Sequence, residues 1–359
     1  MREENGLKKI AQMLQTAREH KASDVHLAAG HPMMFRIDGA LVQMPGGKTE
    51  PDEMEMLTEL LVGASQKEAL ERSGETEFSC AVADGGRIRV NVFRERGAYA
   101  MTLRLLPQEI PTPESLGVPK SLVELTRKRN GLVLVTGGAG SGKSATLASL
   151  VGAIAENEAK KVITLERPIE YLYPQGRGMV LQREIGRDSA GYAKALQAAL
   201  KQDSDVILVG ELRDAETIAL AVEAAESGHL VFAALHMEGA AAAVEYITGS
   251  FPPDLQEQMR TRFAGVLEGI AAQQLLPVQN GGGRIAAFEV LSVNRTVQGL
   301  IREGRFLRFA PIPQSVRKEG MQTMDDAIYE LYMRSYISSE TAVSYAYVPE
   351  EMRQKVQIF

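Results

Sequence analysis

The chain has 359 residues, enough for two domains at roughly 100–200 residues each. Its 40 basic and 46 acidic side chains leave a net charge of −6, with no basic domain or tail set apart, which argues against nucleic acid or anionic lipid as a partner. The single cysteine, Cys80, excludes an internal disulfide framework and any cysteine-built metal cluster. No apolar run approaches the roughly 20 residues a membrane-spanning helix needs, and the opening MREENGLKK lacks a secretory signal's apolar stretch, so a cytoplasmic protein is expected.

Leu7, Ile10, Leu14 and Ala17 recur at helical spacing and predict an amphipathic helix over 6–20. Val25–Leu27 and Met33–Ile37 read as strands, followed by a turn at Asp38-Gly39. Helices are expected over 52–62 and 66–72. Three antiparallel strands follow at Phe78–Ala83, Arg87–Arg94 and Ala98–Leu105, joined through Asp84-Gly85-Gly86 and Arg96-Gly97. Prolines 107, 111, 113 and 119 resist both helix and sheet, and mark a semi-rigid linker. Beyond it, Val/Ile/Leu runs at 132–135, 162–165, 206–209 and 230–235 alternate with helical segments, as buried parallel strands of βαβ units do. Asp214 is a good N-cap for a helix that places Ile218, Ala221, Val222 and Ala225 on one face. Strands are predicted at 270–275 and 284–291 around Asn280-Gly281-Gly282-Gly283, and helices at 294–303, 322–334 and 338–346. The fold class is α/β.

Gly137-Gly138-Ala139-Gly140-Ser141-Gly142-Lys143-Ser144 satisfies G-x-x-x-x-G-K-[ST] between a predicted strand and a predicted helix. Its glycines let backbone N–H groups close around phosphate oxygens, and the helix N-terminus adds its positive end. Lys143 suits the β- and γ-phosphates of ATP, and the Ser144 hydroxyl suits Mg²⁺. Two predicted strands end in acids at the edge where ligands of parallel sheets sit, Glu211 and Glu166. Glu211 suits Mg²⁺, directly or through water, and Glu166 suits deprotonation of the attacking water. His229 and His236 flank one strand and stand about 20 Å apart, too far to share a metal. His236, at the phosphate end, is placed to sense a γ-phosphate. Gln182–Asp188, with Arg183 and Arg187, reads as a polar loop.

Ser23–Leu27, Arg89-Val90-Asn91, the P-loop, Ile163–Glu170, Asp205–Asp214 and Gly228–His236, in that order, resemble the PilT-type retraction ATPases of bacterial type IV pili, within the GspE/PulE-like type II/IV secretion ATPase superfamily. The resemblance spans nearly the whole chain. It implies a PAS-like α+β domain over 1–106, the linker over 107–119, a RecA-like P-loop NTPase core over 120–292 and a helical C-terminal extension over 293–359. It further implies a homohexameric ATPase that powers pilus retraction and twitching motility. Such a ring would dock from the cytoplasm on the pilus inner-membrane platform, with a paralogous pilus ATPase as a further partner. ATP would be held by Gly137 through Ala145, with Lys143 on phosphate and with Ser144 and Glu211 on Mg²⁺. Glu166 would be the general base, His229 and His236 would relay nucleotide state, and Arg89 and Arg104 would complete a neighbouring subunit's site. Departures from the family pattern are Gly138-Ala139, Ala145, Arg167 in place of an acid, Met237 in place of Thr, and Gln298 in place of Arg within Thr296–Glu303. They support a second expectation, a low-turnover nucleotide-binding ring subunit that regulates an active ATPase. A nucleic-acid translocase would share the P-loop and ring, but the acidic balance argues against it.

Overall fold

The structure, a computed structural model, describes residues 2–82, 86–279, 281–305 and 320–356. Two compact units divide the chain, one of Met1–Glu109 with Pro168–Leu172, the other of Ile110–Arg167 with Tyr173–Phe359. The first holds α1 (Arg2–Glu19), β1 (Asp24–Ala28), β2 (Pro32–Ile37), β3 (Ala40–Lys48), α2 (Pro51–Leu61), α3 (Ala64–Ser73), β4 (Glu75–Ala81), β5 (Arg87–Glu95) and β6 (Ala98–Leu105). The strands form one sheet in the order β3-β2-β1-β6-β5-β4, with every neighbouring pair antiparallel. Helix α1 buries Ile10, Met13, Leu14 and Ala17 against this sheet's core; Leu7, expected on the same face, is exposed.

Asp38 and Gly39 both have positive φ, the conformation a two-residue hairpin needs, and Ile37 pairs Ala40 across them. The strand they start, β3, escapes sequence reading because Pro45-Gly46-Gly47 are poor strand formers; at a sheet edge they are tolerated. Residues 84 and 85 of the expected Asp84–Gly86 turn, and Asn280 of the glycine loop, lie outside the described residues.

No helix or strand forms between Leu105 and Lys120. The second unit then contains α4 (Lys120–Glu124), β7 (Gly131–Thr136), α5 (Lys143–Asn157), β8 (Lys161–Glu166), β9 (Met179–Glu184), α6 (Tyr192–Ala199), β10 (Val206–Val209), α7 (Ala215–Glu226), β11 (Leu230–Leu235), α8 (Ala240–Gly249), α9 (Pro253–Val266), β12 (Leu267–Pro277), β13 (Arg284–Ser292), α10 (Arg295–Arg302), α11 (Met324–Met333), α12 (Ser339–Tyr345) and α13 (Pro349–Lys355). Its seven strands run β13-β12-β7-β11-β10-β8-β9, all parallel except the β12–β13 pair.

Every residue of β7, β10 and β11 is buried because helices cover both faces. Val133, Val135, Leu208 and Phe232 pack with Leu147, Val151 and Ile154 of α5. Leu132, Leu134, Ile207 and Val231 face α6 to α10 instead. Asp214 caps α7, its carboxylate accepting the Thr217 N–H at 2.8 Å. Met324, Ile328, Ile337, Ala342 and Met352 bury β12 and β13 from the chain's C-terminal end.

One sequence expectation is corrected here. Gln182, Arg183 and Glu184 belong to edge strand β9, in parallel register with Thr164, Leu165 and Glu166, and only residues 185–188 form the loop. The strand's apolar stretch, Met179-Val180-Leu181, is short and its second half is polar, so little in the sequence announces it. Among the described residues no helix is long and apolar enough to cross a membrane.

Candidate nucleotide site

The loop between β7 and α5 folds on its glycines. Gly137, Gly140 and Gly142 have φ of 148°, 74° and 92°. A Cβ on Gly137 would stand 2.4 Å from the Gln273 carbonyl oxygen and 2.6 Å from Ser141 Oγ. Gly138, Ala139 and Gly140 form the outer arc, closed by the Ser141 N–H donating to Gly138 O at 3.3 Å. Lys143 is buried, its Nζ donating to the carbonyls of Gly137 (2.8 Å) and Gly138 (2.7 Å). Ser141 Oγ is buried without a hydrogen-bond partner, a polar atom that an incoming phosphate would satisfy. Ser144 and Ala145 lie in the first turn of α5, with Ser144 exposed. Gln273 on β12 escapes motif reading, yet its buried amide oxygen accepts from Thr146 Oγ1 at 2.8 Å and ties α5 to the sheet. Its signal is a glutamine inside a predicted buried strand, which must have a partner.

Strand order brings the acids to this loop. β11 lies between β7 and β10, and β8 follows β10, so Thr136, His236, Glu211 and Glu166 all emerge at one sheet edge. Lys143 Nζ stands 3.3 Å from His236 Nδ1, and His236 Nε2 stands 3.3 Å from Glu211 Oε1. An ammonium can only donate, so Nδ1 accepts and the neutral ring carries its proton on Nε2, towards the carboxylate. Burial and then Lys143 hold the His236 imidazole below its usual range, with Glu211 opposing them. Arg213 Nε adds a 2.6 Å ion pair to the same Glu211 oxygen. Glu166 is held differently: its Oε1 accepts from Thr164 Oγ1 (2.6 Å) and Gln182 Nε2 (3.1 Å).

The loop after His236 is anchored as firmly. Thr136 Oγ1 donates to Met237 O and accepts the Met237 N–H at 3.1 Å. Glu289 Oε2 accepts the Ala240 N–H at the start of α8, 3.1 Å away, and Glu289 and Tyr347 both border Gly239. Burial pushes the Glu289 carboxyl up, the Ala240 N–H opposing. A carboxyl whose folded pKa is raised adds stability in acid and loses it as pH climbs through that pKa, because the ionised form is buried at a cost the unfolded chain does not bear. Glu289→Gln keeps the acceptor for Ala240 and removes the charge. It is therefore expected to raise Tm at pH 7, with the gain shrinking as pH falls and vanishing once the wild-type carboxyl is protonated. Thermal unfolding across pH 4–8 checks this, and a lower Tm for the Gln variant at pH 7 would refute it.

The family model described as Type II/IV secretion system protein matches residues 3–342. The chain belongs to this family. It is 42% identical over 309 residues to the uncharacterized protein YggR of Escherichia coli K12, covering 86% of this chain and 94% of that protein. It is 36% identical over 341 residues to the type IV pilus retraction ATPase PilT of Pseudomonas aeruginosa, covering 95% and 99% of the two chains. Among solved structures, the pilus retraction motor PilT with bound ADP superposes with a TM-score of 0.88 at 40% identity, over 96% of this chain and 98% of that one. The sequence resemblance to PilT-type ATPases is thus borne out, and with it an N-terminal domain followed by a RecA-like ATPase domain.

Within this secretion-ATPase member, the expected site residues fall into two groups. Lys143, Ser144, His236, Glu211 and Glu166 share the sheet edge described above. His229 does not. It stands at the other end of β11, where its Nδ1 bonds the Ala224 carbonyl at 3.0 Å and its own carbonyl accepts the Gly131 N–H. A strand's length, about 20 Å, separates it from the phosphate loop, so any part it takes in a relay of nucleotide state is indirect. Arg89 and Arg104 are cross-strand partners on β5 and β6 of the first unit. Arg89 Nε pairs with Glu77 (2.7 Å), and Arg104 Nε pairs with Asp24 (2.8 Å), whose side chain is buried while that of Arg104 is exposed.

Proposed function

We propose that this protein is the ATP-hydrolysing motor of a type IV pilus retraction machine. It works as a homohexameric ring docked on the cytoplasmic side of the pilus inner-membrane platform, with a paralogous pilus ATPase as a further partner. The observation that carries the reading is the chain Lys143–His236–Glu211–Arg213, which joins the phosphate loop to a strand-end carboxylate. ATP is the substrate. The P-loop N–H groups and Lys143 hold its phosphates, and Ser141 Oγ gains a partner there.

Mg²⁺ fits this donor set, with Ser144 and Glu211 as its protein ligands. Among the described residues no group of three or more His, Cys, Asp or Glu could cage a metal, which suits an ion carried mainly by phosphates. The ion would supply charge neutralisation on the β- and γ-oxygens. Glu166, oriented by Thr164 and Gln182, accepts a proton from the attacking water as that oxygen bonds the γ-phosphorus. The bond from phosphorus to the bridging oxygen breaks and its electron pair leaves with ADP. Loss of the γ-phosphate changes what Lys143 and His236 face, and the anchored Met237–Gly239 loop passes that change to α8.

A second reading rests on Arg167, a cation next in sequence to Glu166: a ring subunit that binds nucleotide, turns it over slowly and regulates an active ATPase. Steady-state ATPase activity of the purified protein beside Lys143→Ala separates the two. Turnover abolished by the substitution supports the motor. Turnover surviving it would mean contamination, and nucleotide binding without turnover in the wild type would favour the regulatory reading.

A further inference from the structure

Tyr192 opens α6, and its ring packs against the core shared by α6 to α10. Its hydroxyl ends over Gly210, the residue before Glu211. A Cβ on Gly210 would stand 3.3 Å from the Tyr192 hydroxyl oxygen, 3.3 Å from Glu166 Cα and 2.9 Å from Leu165 O. The Gly210 N–H also donates to Leu165 O at 2.7 Å. The ends of β8 and β10 and the start of α6 therefore meet at one point, and a glycine there is what lets the phenol in. Within the described residues the hydroxyl makes no hydrogen bond. Burial, then the Glu211 charge, push its ionisation well above the ordinary phenol range, with Glu166 adding and Arg213 and Arg167 opposing. A phenol hydroxyl, with an ordinary pKa of about 10, is a donor at neutral pH.

We propose that Tyr192 is a positioning residue for hydrolysis, its hydroxyl, at the meeting point of the strand ends that carry Glu166 and Glu211, donating to the attacking water. The geometry follows from counting the water's bonds. One lone pair accepts from Tyr192, the protons point to the two carboxylates, and the second lone pair is left to face the γ-phosphate. The carboxylates alone would hold the water by its protons and leave its lone pairs free to turn. The inference rests on the ATPase reading above.

Tyr192→Phe removes one oxygen and keeps the packed ring. The variant is expected to lose about 10- to 100-fold in kcat, the loss of a hydrogen bond worth that much within a charged site. KM for ATP, affinity for ADP and Tm should stay close to wild type, whereas affinity for ADP with aluminium fluoride should fall with kcat. In a Glu166→Gln background the same change should cost little more, because the two residues act on one water. Wild-type values of both kcat and aluminium fluoride affinity in Tyr192→Phe would overturn the proposal. So would a parallel loss of ADP affinity and Tm, which marks a structural role, or losses that multiply in the double variant. These outcomes are distinct from failure of the ATPase reading, in which the wild type itself would bind no ADP or ignore Lys143→Ala.

Discussion

Glu166→Gln is expected to lower kcat by about 10²- to 10⁴-fold while leaving nucleotide affinity within about twofold. The amide oxygen of glutamine can still accept from Thr164 Oγ1 and Gln182 Nε2, which bind Glu166 at 2.6 and 3.1 Å, so the side chain keeps its place. What it loses is the ability to take a proton from water. The groups proposed to hold the phosphates, Lys143 and the loop N–H donors, are untouched. Single-turnover hydrolysis beside binding of a fluorescent ADP analogue reads the split. Normal turnover would remove Glu166 as the base, and an equal loss of affinity and rate would make it a binding residue instead.

The second large effect follows from the proposed ring, in which one subunit completes its neighbour's site. Two arginines stand at this sheet edge among the described residues: Arg213, paired with Glu211 at 2.6 Å, and Arg167, exposed beside Glu166. Arg104 on β6 presents an exposed side chain anchored by buried Asp24, which suits an arginine that reaches another molecule. An arginine supplied by a neighbour is worth about 10³–10⁵ in rate in other P-loop enzymes. Specific activity is therefore expected to rise with protein concentration as rings assemble. Lys143→Ala and Arg104→Ala should each be nearly inactive alone. Mixed rings should regain part of the activity, because some interfaces then pair an intact P-loop with an intact arginine. Mixed hexamers with no recovery at any ratio would exclude Arg104, and Arg89, its cross-strand partner, would be tested the same way.

Much of this site could be read from local sequence, because local rules govern it. A P-loop is contiguous: its glycine spacing dictates backbone with positive φ, and the flanking apolar strand and helix place it at a sheet edge. Glu166 and Glu211 close apolar runs, so each had to stand at a strand end, and Asp214 had to cap the helix behind it. The separation of His229 from His236 followed from strand length alone. The family resemblance implies one relay for both histidines, of which His236 alone was expected at the phosphate end, and it is His236 that meets Lys143.

What sequence could not supply depends on which strands lie side by side. The contacts from Lys143 to His236 and from His236 to Glu211 exist because β11 lies between β7 and β10, an order no local pattern encodes. The same holds for Gln182, visible as a partner of Glu166 only once β9 pairs with β8, and for Gln273, which locks Thr146 from β12. Tyr192 meets Gly210 from a separate helix, at a point that exists only because β8 and β10 are neighbours. Strand β3 and residues 168–172 of the first unit teach the same lesson: pairing and packing with distant partners outweigh weak local propensity. Short-range sterics and spacing made the individual parts of the site legible in the chain. Long-range pairing, which carries no sequence period, decided which of those parts touch.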